Sequence, residues 1–149
     1  MSMDTSGAVY GAWNDQNDPG EINRKRHAEQ YYESVRNRNR RIEVEKVARH
    51  SGFSKNDIET IYKHIFVDYH ELNDGLKRFD ADYDMSQSWD RLIQGKKIEE
   101  HDIILLHHEL RESQLMRKGY NYEEAHALTQ REFNYVEALI RWKIERGDL

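Results

Sequence analysis

EEHDIILLHHELRESQLMRKGYNYEEAH, Glu99 to His126, decides how this chain folds. From Glu99 to about Lys118 the apolar residues recur at helical spacing, and Gly119 is a natural C-terminal stop. Asn121, with Glu124 three residues on, opens another helix whose apolar pattern extends to about Arg146. A connection as short as Gly119–Asn121 makes the two helices antiparallel neighbours. At about 100° per residue, His101, His108 and Glu112 fall within a strip roughly 40° wide. Ile104 and Leu115 flank that strip on one side, and Leu105 and Met116 on the other. In the following helix His126 shares a face with Phe133 and Ile140. Imidazoles and carboxylates therefore point where the protein is apolar, and His126 faces His108 and Glu112.

Upstream, a helix is expected from Glu21 to about His50, breaking near Asn37–Asn39, with Tyr31, Val35, Ile42, Val47 and Ala48 as its apolar stripe and Gly52 as its stop. Ser54 caps the next helix, whose buried face is Ile58, Ile61, Tyr62, Ile65 and Phe66. Residues 68–84 read as a long loop around the turn Asn73-Asp74-Gly75. A short helix at Met85–Ile93, capped by Asp84, ends at Gly95. Residues 1–20, with the turn Asp18-Pro19-Gly20, read as a flexible lead-in that Tyr10 and Trp13 dock locally. The expected fold is all-α: one compact bundle of about five helices over residues 21–149.

Composition agrees. The chain has 149 residues, the size of one domain. It is 37% hydrophobic and 34% charged with a single proline, and its mean hydropathy is -1.05. That favours helices over a β-sandwich, which needs frequent turn residues. The absence of cysteine excludes disulfides, a thiolate nucleophile and Cys-ligated zinc, so any metal must be held by His, Asp or Glu. No apolar run approaches the ~20 residues needed to cross a bilayer, and the start lacks a signal-peptide pattern. A soluble chain without membrane insertion, or the soluble end of a longer one, is expected.

The net charge of -5 hides an asymmetry. Arg24, Lys25, Arg26, Arg36, Arg38, Arg40, Arg41, Lys46 and Arg49 face only four glutamates in the same stretch. Such a basic arm either meets a phosphate-bearing partner or forms a salt-bridged surface. Arg38, Arg40, Arg41 and Arg78 are the candidates for substrate contact.

Buried polar groups must be hydrogen-bonded or metal-bound. A satisfied His–Glu network that merely fixes the helix pair meets that requirement. So does general acid–base hydrolysis with His108 and His126 exchanging protons and Glu109 or Glu112 orienting them. A divalent metal on His108, Glu112 and His126 that activates water is the third option. His108-Glu109 begins like the zinc-peptidase signature H-E-x-x-H, but Glu112 stands at its fifth position. Asp80, Asp82 and Asp84 begin like a calcium loop, which then fails at Met85 and Arg91. His64 lies on the inward half of its helix. No Gly-rich phosphate loop and no G-x-S-x-G elbow occurs.

Three blocks carry a resemblance: Gly52–Ile58 leading to His64-Ile-Phe66; Arg78–Met85 leading to Trp89–Leu92; and His101 through His108-Glu-Leu to Gly119 and Glu124-Ala-His126. Together, over about residues 45–140, they resemble a small domain at the C-termini of phage head-morphogenesis (minor head) proteins and polymorphic secreted bacterial toxins. The third block is the most specific. The resemblance implies a toxin-like effector made in the bacterial cytoplasm, delivered to a target cell within a larger protein and neutralised by a cognate immunity protein. Such effectors are commonly nucleases. The implied site uses His64, His101, His108, Glu109, Glu112 and His126. The rival expectation is a non-enzymatic helical module, an immunity or virion-assembly protein.

Overall fold

Helix α5 (Glu100–Arg117) organises the molecule, packing against four other helices and a π-helical turn. The computed structural model describes residues 19–149. In chain order these are α1 (Pro19–Asn37), α2 (Arg40–Ser51), α3 (Lys55–Tyr62), the π-helical turn (Lys63–Val67), strands β1 (His70–Leu72) and β2 (Gly75–Lys77), α4 (Tyr83–Gln94), α5, α6 (Tyr122–Glu132) and α7 (Tyr135–Glu145). The outcome is a mostly helical bundle with a small β-hairpin. The expected lead-in lies outside the described residues except for Pro19 and Gly20, which open α1 instead of forming a turn. Proline suits the first helical position because its missing N–H has no partner to lose there.

Side-chain caps set most of the boundaries. Asn39 accepts from the N–H of Ile42 and starts α2 at the expected break, and Ser54 accepts from Asp57 to start α3. Gly52 closes α2 at φ 83°, a left-handed value that glycine adopts without penalty. Asp82, not Asp84, caps α4, its carboxylate accepting from the N–H of Met85. Asp84 is already helical and faces Lys143 at 3.3 Å. The apolar core centres on Trp89, Ile58, Ile61, Phe66, Leu105 and Leu106, each no more than 1% exposed.

Three features exceed the sequence reading, and the last of them, with the break at Asn39, makes the expected five or so helices seven among the described residues. The stretch 68–84 is not all loop: β1 and β2 pair antiparallel, with Leu72 opposite Gly75 across Asn73-Asp74. The end of α3 widens into the π-helical turn, closed by a bond from Asp68 N–H to the carbonyl of Lys63 at 2.7 Å. Last, the final helix is broken. Asn134 has extended backbone and its side chain accepts from Glu137 N–H, so α7 begins afresh after α6. An Asn side chain competes with the helix for backbone donors in this way. Among the described residues no helix is long and apolar enough to cross a membrane.

Candidate metal centre

α5 carries His108, Glu109 and Glu112 inward; each is 5% exposed or less. The π-helical turn brings His64 to the same point, and α6 brings His126. Nε2 of His64 lies 2.8 Å from Oε1 of Glu112. Nδ1 of His126 and Nε2 of His108 lie 2.9 Å and 3.3 Å from Oε2. Glu109 stands beside them, its Oε1 3.8 Å from Nε2 of His64 and its Oε2 4.0 Å from Nε2 of His108. Two sets of donor atoms thus lie close enough to hold a metal ion: His108, Glu112 and His126, and His64, Glu109 and Glu112, each within 4.8 Å of one another.

Backbone carbonyls fix two of the rings' surroundings. His108 donates Nδ1–H to the carbonyl of Phe133 at 2.8 Å, which turns Nε2 toward Glu112. That carbonyl is available because the chain leaves the helix at Phe133–Asn134. His70 donates to the carbonyl of His64 at 3.0 Å, and the Phe79 ring stacks on His70 at 4.1 Å. Phe79 also meets the His64 ring at 5.1 Å.

The electrostatics follow from this packing. Burial disfavours the charged form of Glu112, but hydrogen bonds from His108, His126 and His64 outweigh it and hold its carboxyl well below the usual range. Burial pushes Glu109 up to about 7, reinforced by the Glu112 charge. For His108, burial opposes protonation, yet the bond to Glu112 and the Glu109 charge raise it to about 9. A positive charge between the ring and the carboxylates is what this centre favours.

Solvent reaches the cluster at one edge. The His126 side chain is 17% exposed and lines a cavity of about 370 Å³ between the hairpin and α6, with Phe79 and Tyr122. Asp74, Asp80, Glu123 and Lys77 also line it. Lys77 binds Asp74 and Asp80 at 2.8 and 2.9 Å. The lining thus carries three carboxylates and one ammonium.

Of the residues singled out from sequence, His64, His108, Glu109, Glu112 and His126 come together. His101 does not. Seven residues of helix carry it about 10 Å from His108, where its Nε2 meets Arg91 at 3.1 Å and its ring packs on Trp142 at 4.7 Å. Arg38 is held by Glu43, its Nη2 2.7 Å from Oε2. Arg40 pairs with Glu59 at 3.4 Å, and Arg78 donates to the carbonyl of Val67 at 3.2 Å. Arg41 is exposed on α2. None of these four arginines lines the cavity beside His126. The sequence reading missed the Phe133 carbonyl, His70, and the Phe79–Tyr122 wall. The pattern Asn134-x-x-Glu137, the same start signal as Asn121-x-x-Glu124, could have shown the helix break. The chain matches no protein-family model, no curated protein and no solved structure.

Proposed function

We propose that this chain is a metal-dependent hydrolase whose cation is held by His108, Glu112 and His126, with access through the cavity between the hairpin and α6. One observation carries the reading: imidazoles from three separate segments aim at a single buried carboxylate. His108 keeps Nδ1 on a backbone carbonyl and turns Nε2 toward Glu112, the orientation a metal ligand would need. A ring oriented by a backbone carbonyl behind it is the usual support of a metal ligand. A bound divalent cation would supply Lewis acidity and a water ionised near neutral pH. The residues themselves would hold the ion in a buried pocket, with the edge of His126 toward the cavity.

The acidic mouth favours a neutral or cationic substrate, such as a peptide or ester, over a polyanion. The nuclease reading rests on the resemblance and on the basic residues of α1 and α2, away from this mouth. The same resemblance supports an effector role, with an immunity protein as the partner that would mask the cavity. A non-enzymatic module is the second reading, favoured by the depth of the cluster: a polar staple between α5, α6 and the π-helical turn would be equally well paired.

The test is direct. Purified chain is stripped with chelator, reloaded with Zn²⁺ or Mn²⁺, and assayed on RNA, DNA, peptides and esters beside His126→Ala. Metal-dependent turnover abolished in the variant is expected, with growth arrest on inducible expression in bacteria. A chain that binds neither ion, or is equally active after stripping, overturns the proposal. Cleavage confined to RNA or DNA would favour the nuclease reading of the substrate.

A further inference from the structure

The two donor sets share Glu112 but not the same oxygen. Oε1 of Glu112 and Oε1 of Glu109 both turn toward His64. Oε2 of Glu112 and Oε2 of Glu109 both turn toward His108, and the former also meets His126. Each carboxylate therefore presents one oxygen to each side of the cluster. From this partition we infer that the centre is dinuclear: two divalent cations bridged by Glu109 and Glu112, with His64 ending one side and His108 and His126 the other. The inference rests on the metal reading above and deepens it.

A single ion cannot use this arrangement fully. An ion seated among His108, His126 and Oε2 of Glu112 leaves His64 and both Oε1 atoms facing one another on the other side. Donors in a tetrahedral shell with metal–ligand distances near 2.0–2.1 Å stand roughly 3.3 Å apart. The 3.3 Å from His108 to Oε2 of Glu112 already has that spacing, and the hydrogen-bonded separations of 2.8 Å from His64 to Oε1 and 2.9 Å from His126 to Oε2 reach it by opening about 0.5 Å. Glu109 completes the bridge by a small inward movement from 3.8 and 4.0 Å. Carboxylates that donate one oxygen each way hold ions about 3.5–4 Å apart, the separation at which two metals jointly clamp a hydrolytic reaction.

The chain geometry fits the same design. Glu109 and Glu112 are three residues apart on α5 and so lie side by side on one helix face. Two buried carboxylates this close repel each other unless positive charge lies between them. Inward-facing Glu and His from several helices are how bundles build two-metal centres. The unusual element here is the π-helical turn, the source of His64. Such turns are rare and recur at functional sites.

The full chain, stripped and dialysed against Zn²⁺, is expected to hold two ions by elemental analysis and native mass spectrometry. With Mn²⁺ it should give the exchange-coupled electron paramagnetic resonance spectrum of a pair. His64→Ala and His126→Ala should each fall from two ions to one, and the coupled signal should vanish in both. The parent's stoichiometry and spectrum need no variant, so a misfolded mutant does not decide the matter. One ion per parent chain, with an uncoupled Mn²⁺ signal, overturns the dinuclear centre and leaves the mononuclear hydrolase standing. No bound ion overturns both.

Discussion

The backbone carbonyl of Phe133 and the imidazole of His108 are joined across 2.8 Å, and this bond exists because a helix stops. Had α6 continued into α7, the Phe133 carbonyl would have been spent on a helical N–H four residues later. Asn134 prevents that by taking extended backbone and capping α7 through Glu137 N–H at 2.9 Å. A surface cap thereby sets the orientation of a buried ring one helix away.

Asn134→Ala should therefore do two separable things. Loss of the cap should lower stability by about 1 kcal/mol. Loosening the Phe133 carbonyl should weaken metal binding by about 10- to 100-fold, the usual effect of disturbing a group that orients a ligand. Calorimetric titration with Zn²⁺, run beside thermal melts, separates the two. A lowered melting point with unchanged affinity would show that the cap matters only to the fold.

His101 gives a pH prediction away from the metal cluster. Buried at 1% exposure against Arg91, Asp102 and Trp142, it is pushed down to about 4, chiefly by burial. The unfolded chain, with an ordinary histidine, then binds the proton more readily. Stability from this residue is full above about pH 6.5 and is lost as pH falls toward 4. By pH 4.5 the loss should be about 2–3 kcal/mol. His101→Gln removes the titration, so its urea midpoints at pH 7 and pH 4.5 should differ by less than the parent's. Equal differences would mean that other groups carry the acid sensitivity.

Much of this was readable from the chain. The α5–α6 pair, the Asn39 break and the Ser54 cap follow from local rules, because cap side chains and glycine stops act within a few residues. The convergence of His108, Glu112 and His126 follows from helical periodicity plus a short connection. His101 shared the periodicity but not the position, since facing one way says nothing about distance along the axis. The Asn134 break was missed because the apolar spacing of His126, Phe133 and Ile140 continues across it. The hairpin escaped because strands of three residues have too little pattern to show, although its turn was recognised. The π-helical turn, Lys63–Val67, has no recognisable local signal.

Arg38, in the link between α1 and α2, is structural, whereas Arg41 of α2 is exposed. Arg38 grips Glu43 through two bonds, at 3.1 and 2.7 Å, and Glu43 also accepts from the Trp89 indole at 2.9 Å. Glu43→Ala would strand a buried indole N–H and remove the carboxylate paired with Arg38, costing about 3 kcal/mol. Arg41→Ala should stay within about 0.5 kcal/mol of the parent. Chemical denaturation checks both. Arg41→Glu is then the clean probe of the basic face: unchanged binding to RNA and DNA would remove that face from substrate recognition.

The acidic mouth makes the last prediction. Asp74 and Asp80, both bound to Lys77, are about two-thirds exposed and belong to no buried network. Lys77 holds the Asp74 carboxyl below its ordinary range through their hydrogen bond. Replacing both acids together, as Asp74→Asn with Asp80→Asn, should leave stability within about 0.5 kcal/mol, as surface changes generally do. It also removes two of the three carboxylates that draw a cation toward His126. Metal association should slow several-fold at low salt and lose most of its dependence on ionic strength, because steering by exposed charge is screened beyond about 10 Å at 0.1 M salt. The final stoichiometry should not change, since no ligand has been touched. Stopped-flow mixing with Zn²⁺ at low and high salt measures this. Rates identical to the parent's at both would place the entry path elsewhere than the cavity between the hairpin and α6.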